Sequence, residues 1–404
     1  MKPRRKIPAG LFCYYFHSMN KLTLLFCLTL LGCVANAQYS LRIVVTGVPA
    51  ATKDVAKRAA EGVYVAGNFN NWNPKDENYK MKPLGNNRLS LTLKDVAKGS
   101  MMAFKITRGD WSKVECTSDG RDITDRVVEV NTDTTVSFAV EGWKDDYPVK
   151  PKPYTASPQV KIIDTAFLIP QLNRTRKVWI YLPKGYATSK VTYPVLYMHD
   201  GQNLFNEQTA GFGEWGVDEA LDSLQKQTGK EMIIVGIDHG GDKRMTEYNP
   251  YDHAKFGKGE GKQYVEFLVN TLKPYIDSKY RTKKDAFNTS VAGSSMGGLI
   301  SLYAMITYPK TFGAAGIFSP AFWITPQLYD DLQKADWGKE RHGFYFYAGG
   351  KESATMVSDM NRMADIVEKK HNYKIERVVM PLGMHNEPTW RKEFPAFYRW
   401  LVEN

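Results

Sequence analysis

The residues best placed for covalent chemistry are Gly293-Ser294-Ser295-Met296-Gly297. A serine hydroxyl is a weak nucleophile at neutral pH, so it needs a base within hydrogen-bond reach and a third group to orient that base. The motif alone arises often by chance, and its flanks are what give it weight. An apolar strand ending at Val291-Ala292 precedes it and the helix-like stretch 298–306 follows. A turn this tight strains the backbone at Ser295, and the flanking glycines remove the clashes a Cβ would cause. The hydroxyl is then lifted above a sheet, at the positive end of the next helix.

In such a strand–turn–helix arrangement the chain order is serine, acid, histidine. Only His342, His371 and His385 follow Ser295. His371 ends the Lys-rich stretch Glu368-Lys369-Lys370 and reads as solvated. His342 precedes the apolar run 344–347 and so lies at the wrong end of that strand. His385 sits in Leu382-Gly383-Met384-His385-Asn386-Glu387, between the strand around 378–380 and the last helix, and is the expected base. The acid should leave the preceding strand, which places Glu352 of Gly349-Gly350-Lys351-Glu352-Ser353 first and Asp359 second; a helix-capping carboxylate is the ordinary alternative for Glu352. An oxyanion needs two donors: the backbone N–H of Met296, and one from the loop Tyr197–Asn203, for which the Gln202 amide is expected, with Gly201 letting the chain turn inward. His199 and Asp200 read as loop-ordering groups, since as a metal pair they lack further ligands at sensible spacing. Neither metal nor cofactor is expected.

The elements that must position these groups fall into two sets. From about 39 to 143 the apolar residues recur with period two, as in Leu41/Ile43/Val45, Val63/Val65, Leu89/Leu91/Leu93 and Val136/Phe138/Val140. Gly, Asn and Asp clusters separate these runs, which predicts a β-sandwich. Pro148, Pro151, Pro153 and Pro158 then make a stiff spacer. After about 160, strand-like runs (178–182, 194–198, 232–237, 289–292, 314–318, 344–347) alternate with helical stretches. Apolar helix faces carry Tyr264, Phe267, Leu268, Leu272 and Tyr275; Met356, Met360, Met363 and Val367; and Trp390, Phe394, Phe397 and Leu401. This alternation predicts an α/β domain with a mainly parallel sheet covered on both faces. The expected boundaries are a leader over 1–37, the sandwich over 38–144, the linker over 145–159 and the α/β domain over 160–404.

The leader reading starts at Lys21, followed by an apolar run from Leu22 to Leu31 that is too short to span a bilayer, and by Ala35-Asn36-Ala37, an A-x-A cleavage pattern. Met19 is an alternative start. Leu30-Leu31-Gly32-Cys33 offers the competing reading of a lipid-anchored Cys33. No other segment is apolar enough to span a membrane. The formal charge of the 404 residues is +11; Lys2, Arg4, Arg5, Lys6 and Lys21 carry five of those charges, leaving the rest near +6. Lys and acidic residues are interspersed, which gives nucleic-acid binding no support. Cys13, Cys27 and Cys33 lie in the leader, so Cys116 is alone in the remainder and reads as a packed residue.

Residues 160–404 resemble the esterase family that contains carbohydrate esterase family one (feruloyl and acetylxylan esterases), enterochelin-type siderophore esterases and S-formylglutathione hydrolase. The pieces that match are Tyr197–Phe205 (YMHDGQNLF), 213–221 (GEWGVDEAL), Gly236–Tyr248 with Arg244 and Glu247, the segment around Ser295, and the His385 segment running into Trp390. The resemblance implies an α/β-hydrolase fold and ester hydrolysis at a Ser-His-acid triad without a metal. Members often carry Asp where this chain has Glu352. The sandwich resembles starch- and glycogen-binding modules of the early-set immunoglobulin-like class, through Val63–Pro74 (VYVAGNFNNWNP) and Ala103–Trp111 (AFKITRGDW). That resemblance points to Trp72, Lys105 and Trp111 as sugar contacts; the alternative is that Trp72 pins a loop and the module only supports the catalytic domain.

Three functions compete. The first is removal of feruloyl or acetyl groups from plant polysaccharide or oligosaccharide by an exported enzyme, periplasmic or secreted. The second is a siderophore esterase, whose relatives also pair this domain with an N-terminal sandwich. The third is a glycan-binding protein with an inactive hydrolase domain, against which the intact Ser295 and His385 pair argues. The sequence leaves the oligomeric state open.

Overall fold

A computed structural model describes residues 38–49, 61–70, 72–148, 151–338, 340–370 and 373–403. The expected cleavage after Ala37, the alternative anchor at Cys33 and the reading of His371 lie outside these residues.

The first unit is all β, as its period-two pattern predicts. One sheet orders β3 (Lys82–Gly85), β4 (Arg88–Ala97), β1 (Gln38–Gly47) and β8 (Thr134–Ala139); the second orders β2 (Tyr64–Gly67), β5 (Ser100–Thr107) and β7 (Arg126–Val130). A short pair, β6 (Glu115–Cys116) with β9 (Gly142–Trp143), closes one end. Leu41, Ile43 and Val45 meet Phe104 and Ile106 in one core, because alternate residues of each strand face inward. Cys116 is a free thiol buried in this unit, and burial pushes its pKa up.

The proline-rich segment does more than space the two units. Lys144–Asp146 form a 3-10 turn on the sandwich, whereas residues 155–157 lie on the second unit. There Thr155 Oγ1 donates to Glu214 (2.8 Å) and the Ser157 N–H donates to Asp218 (2.6 Å). Both carboxylates are buried and need donors, which the small polar residues between the prolines supply.

The second unit is an eight-stranded sheet in the order β10 (Val160–Ile169), β11 (Arg174–Tyr181), β13 (Ile233–Ile237), β12 (Val195–His199), β14 (Thr289–Ser294), β15 (Ala314–Phe318), β16 (His342–Gly349), β17 (Tyr373–Met380). The hairpin β10–β11 and the β11–β13 pair are antiparallel, and from β13 to β17 every pair is parallel. The parallel strands β12 to β16 are buried along their whole length, as continuous apolar runs with helices on both faces require. One layer contains α1 (Val217–Thr228) and the C-terminal helix Glu387–Val402; the other contains Met296–Thr307, Met356–Glu368 and the helical stretch from Gly261 to Lys279, which widens into a π-turn at Leu268–Leu272. Met356, Met360, Met363 and Val367 are core residues. This is the α/β domain with a mainly parallel sheet that the alternation of elements predicts, and the fold that the resemblance implies, with the carboxyl ends of the parallel strands on one side of the sheet. No helix among the described residues is long and apolar enough to cross a membrane.

Candidate active site

Ser295 occupies the bend between β14 and the helix Met296–Thr307, with φ 59° and ψ −119°, a conformation that L side chains rarely adopt. The strain expected from the motif is therefore present, and packing maintains it. The Ser295 N–H donates to Phe318 O (2.9 Å) at the end of β15, and its carbonyl accepts from Ala321 N (3.2 Å). Glycine is required on both sides by close approach: a Cβ on Gly293 would sit 2.9 Å from the Gly297 carbonyl carbon, and one on Gly298 would sit 2.9 Å from Phe318 O. The serine side chain is partly exposed at the helix N-terminus, where the dipole favours developing negative charge.

Glu352 and His385 meet because their strands end level. In the parallel β16–β17 pair Gly349 is opposite Met380, and the two exit loops are joined by Gly350 N to Met380 O (2.8 Å) and Lys351 N to Gly383 O (2.9 Å). His385 Nδ1 lies 2.9 Å from Glu352 Oε2. The other oxygen, Oε1, accepts from Ser319 Oγ and from Gly349 N, each at 2.6 Å. The Glu352 side chain is 1% exposed, so these donors replace the water it has lost, whereas the His385 side chain stays 38% exposed and open to a substrate. Asp359 stands apart, in the first turn of the helix Met356–Glu368, its carbonyl accepting from Tyr329 OH.

Ser319, which the sequence reading passed over, ties the two halves of the site together. It follows directly on Phe318, which holds the Ser295 amide; its Oγ bonds Glu352 and also accepts from Trp390 Nε1 (2.8 Å). Trp390 in turn meets the His385 ring edge-to-face at 5.1 Å and stacks on Trp215 at 5.7 Å. A serine after a buried strand carries no distinctive signal, and only its contacts identify it. Ser319→Ala removes a bond to a buried carboxylate and leaves the indole N–H without its partner. The expected loss in kcat is about 10- to 100-fold, from the roughly 1.5–3 kcal/mol that a hydrogen bond to a charged group contributes. Steady-state kinetics on a nitrophenyl ester, with the melting temperature as a folding control, measures it.

The loop expected to supply the second oxyanion donor is a 3-10 turn, Gly201–Asn203, at the end of β12. A Cβ on Gly201 would collide with the backbone of Gly236 and Ile237 at 2.7–2.8 Å, so only glycine lets the turn lie over β13. Gln202 is fixed at both ends: its carbonyl accepts from Thr209 Oγ1 (2.8 Å) and its Oε1 from His239 N (3.1 Å). The turn also stands beside the serine bend, since a Cβ on Gly297 would come within 3.2 Å of His199 Cβ. Met296 begins the helix after Ser295. His199 and Asp200 do order this loop. His199 is fully buried, shares a 2.9 Å hydrogen bond with Tyr264 OH, and is lowered to about 4 by burial, which keeps it neutral. Asp200 accepts from Arg244 Nε (2.9 Å), whose Nη2 reaches Ser294 O (3.4 Å). No cluster of metal-ligating side chains occurs among the described residues.

Glu387, also unmarked in the sequence, accepts from Asn203 Nδ2 at 3.1 Å and joins the Gly201–Asn203 turn to the helix after His385. Burial, reinforced by the charge of Asp200 and partly offset by its own backbone N–H, pushes its carboxyl up to about 7. Because the folded pKa exceeds the unfolded one, the fold gains stability from the bound proton below the ordinary value of 4.5 and loses it as pH rises through about 7. Thermal melts between those limits should therefore show a falling melting temperature in the wild type, and Glu387→Gln should flatten the fall.

Three large apolar side chains stand exposed on segments that follow strands of this sheet: Phe212 (83%) after β12, Trp323 (59%) in the 3-10 turn Phe322–Ile324 after β15, and Leu382 (79%) after β17. Phe212 lies between Gly211, whose N–H bonds Asn203 Oδ1, and Gly213, which packs near Pro388. Trp323 is two residues beyond Ala321, the donor to Ser295 O, and Leu382 is three before His385. In the sandwich, Trp72 and Trp111 come together with ring centroids 6.3 Å apart, and Trp111 is 40% exposed. Lys105, the third expected sugar contact, donates to Ile123 O (2.8 Å) and lies 3.6 Å from Asp125.

A strained serine elbow after one strand of a mostly parallel sheet, and a histidine paired with a buried glutamate after two others, fit an α/β-hydrolase. The family described as "Putative esterase" matches residues 169–401, and the chain belongs to it. It is 31% identical over 156 residues to "Uncharacterized protein YbbA" of Bacillus subtilis (strain 168), covering 37% of this chain and 58% of that one. It is 26% identical over 217 residues to an "Endo-1,4-beta-xylanase/feruloyl esterase" of Xylanibacter ruminicola, covering 53% of this chain and 27% of the relative. These matches thus span little more than half of the first relative and about a quarter of the second. Among solved structures, the enterobactin esterase FES from Shigella flexneri, in the presence of enterobactin, superposes with a TM-score of 0.51 at 18% identity, over 85% of this chain and 88% of that one. At that identity the likeness is one of fold.

Proposed function

We propose that the chain is an exported serine carboxylic-ester hydrolase, periplasmic or secreted, that removes feruloyl or acetyl groups from plant polysaccharide or oligosaccharide. The observation that carries the reading is the 2.9 Å contact between His385 Nδ1 and Glu352 Oε2 on the same rim as the strained Ser295. Ser295 Oγ attacks the acyl carbonyl while His385 Nε2 takes its proton, and Glu352 holds Nδ1–H and stabilises the imidazolium that forms. The tetrahedral oxyanion is held by the N–H groups of Met296 and Gln202. Collapse breaks the ester C–O bond, the departing alcohol takes the proton from Nε2, and water, deprotonated by the same nitrogen, releases the acid from the acyl-serine. No step needs a metal or an organic cofactor.

Phe212, Trp323 and Leu382, exposed on segments that follow β12, β15 and β17, favour an aromatic acyl group, because exposed apolar side chains gain most by covering a flat ring. The paired rings of Trp72 and Trp111 suit stacking on the C–H faces of sugars, which supports a glycan substrate. A siderophore ester is the second reading, favoured by the superposition of the Shigella enterobactin esterase over both units of the chain. A panel of p-nitrophenyl acetate, methyl ferulate, acetylated xylan and a catecholate trilactone separates the readings. Turnover of methyl ferulate or acetylated xylan without the trilactone supports the first, the reverse pattern the second, and no turnover of any ester would remove both.

A further inference from the structure

Ser295, Glu352 and His385 follow the carboxyl ends of β14, β16 and β17, and a cavity of about 390 Å³ lies at the other ends of the same strands. Pro194, just before β12, lines it together with Ser290, Ala314, Gly343 and Lys374, at the starts of β14 to β17. The five steps from Ser290 to Ser295 span roughly 17 Å at about 3.3 Å per residue, so this cavity is separate from the ester site. Its volume falls within the range of small-molecule sites, about 300–1,000 Å³. Backbone bonds preset its walls: Tyr193 N donates to Arg281 O (2.9 Å), Lys283 N to Tyr193 O (2.8 Å), and Gly343 N to Gly313 O (2.8 Å). Walls fixed in this way need no ordering when a ligand arrives.

The charge of this cavity is one-sided. Lys230, Lys283, Arg341 and Lys374 line it against the single carboxylate of Glu231, and none of the four cations forms a salt bridge among the described residues. Lys374 Nζ reaches the Trp400 carbonyl (3.4 Å) and lies over the Trp400 ring (5.2 Å). Burial, and then the charge of Arg341, push the Lys374 ammonium down, partly offset by Glu403 and Glu376. A cleft lined by one sign of charge concentrates counter-ions, and a guanidinium takes a carboxylate or phosphate through two parallel N–H bonds. Unused hydroxyl groups stand on the same walls. Ser290 is 3% exposed, and neither its hydroxyl nor that of Thr192 makes a hydrogen bond among the described residues. His342 offers nothing further, since its ring nitrogens face the carbonyls of Glu340 (3.1 Å) and Pro309 (3.0 Å). Unpaired cations beside unused hydroxyls suit a ligand that carries both an acid and hydroxyl groups.

We infer that this cavity is a second ligand site, which takes a small hydroxyl-rich acid and neutralises its carboxylate or phosphate with Arg341, Lys374 and Lys283. The site does not depend on the ester chemistry at the opposite ends of the strands. Calorimetric titration of the full-length chain at low ionic strength tests it with three probes that share one sugar ring: glucose, D-glucuronate and glucose 6-phosphate. One or both acids should bind with one-to-one stoichiometry, and glucose should give no measurable heat. Tighter binding of glucuronate identifies a carboxylate ligand, and tighter binding of the phosphate ester a phosphorylated one; either supports the site. Arg341→Gln should raise the Kd of the bound acid about tenfold, the equivalent of one hydrogen bond between charged groups, and Lys283→Gln should raise it at least about threefold. Lys258→Gln, an exposed lysine outside the cavity, should leave Kd unchanged, and turnover of p-nitrophenyl acetate should stay within about twofold of the wild type in all three variants. Melting temperatures control for folding. No binding of either acid, binding that Arg341→Gln leaves unchanged, or an equal loss in Lys258→Gln would overturn the inference.

Discussion

Ser295→Ala should lower kcat for p-nitrophenyl acetate by on the order of 10⁴- to 10⁶-fold, the range seen when a hydrolase triad loses its nucleophile. In free energy this is about 5–8 kcal/mol of transition-state stabilisation. Alanine keeps the Cβ, so the contacts that hold the bend remain: Ser295 N to Phe318 O, and Ala321 N to Ser295 O. What disappears is the bond-forming oxygen. Residual turnover should come only from the oxyanion donors and substrate binding, and the burst of acyl-enzyme should vanish from pre-steady-state traces. A variant retaining even a tenth of wild-type turnover would show that the chemistry lies elsewhere.

The second large effect concerns the acid. Glu352→Gln preserves shape and volume at a side chain that is 1% exposed, yet it should cost roughly 10³- to 10⁴-fold in kcat. The amide has one acceptor, and Ser319 Oγ and Gly349 N both point at the Oε1 position. Its NH₂ must then face His385 Nδ1, which can no longer carry a proton there. The ring is driven into the tautomer that presents N–H, not a lone pair, to the serine. Asp359→Asn provides the contrast, because that residue sits on the helix with its carbonyl against Tyr329, and its kcat should stay within about twofold. Kinetics on both variants decide which carboxylate serves. Equal loss at Asp359, or none at Glu352, would transfer the role.

Much of this site is legible from the chain because its parts are locally encoded. The serine elbow is contiguous, and its flanks specify a strand before it and a helix after it. The level at which His385 and Glu352 emerge follows from their placing just past two consecutive apolar strands. Ser319 and Glu387 are different. A serine beside a proline and a glutamate at a helix start have many ordinary uses; they become identifiable through partners 33 and 184 residues away, Glu352 and Asn203. Lys105 shows the same limit from the other side. Its segment resembles a sugar-binding motif, but where its ammonium points depends on Asp125, which no local pattern marks.

The order of elements, the two units, the glycine-flanked bend at Ser295 and the place of His385 past the last strand are legible in the chain, since period, glycine spacing and chain order are properties of neighbouring residues. Tertiary packing alone brings Glu352, and not Asp359, to the imidazole of His385 and braces the pair with Ser319 and Trp390. Those contacts are set by how level β16 and β17 end, and the packing of residues far apart in the chain fixes that.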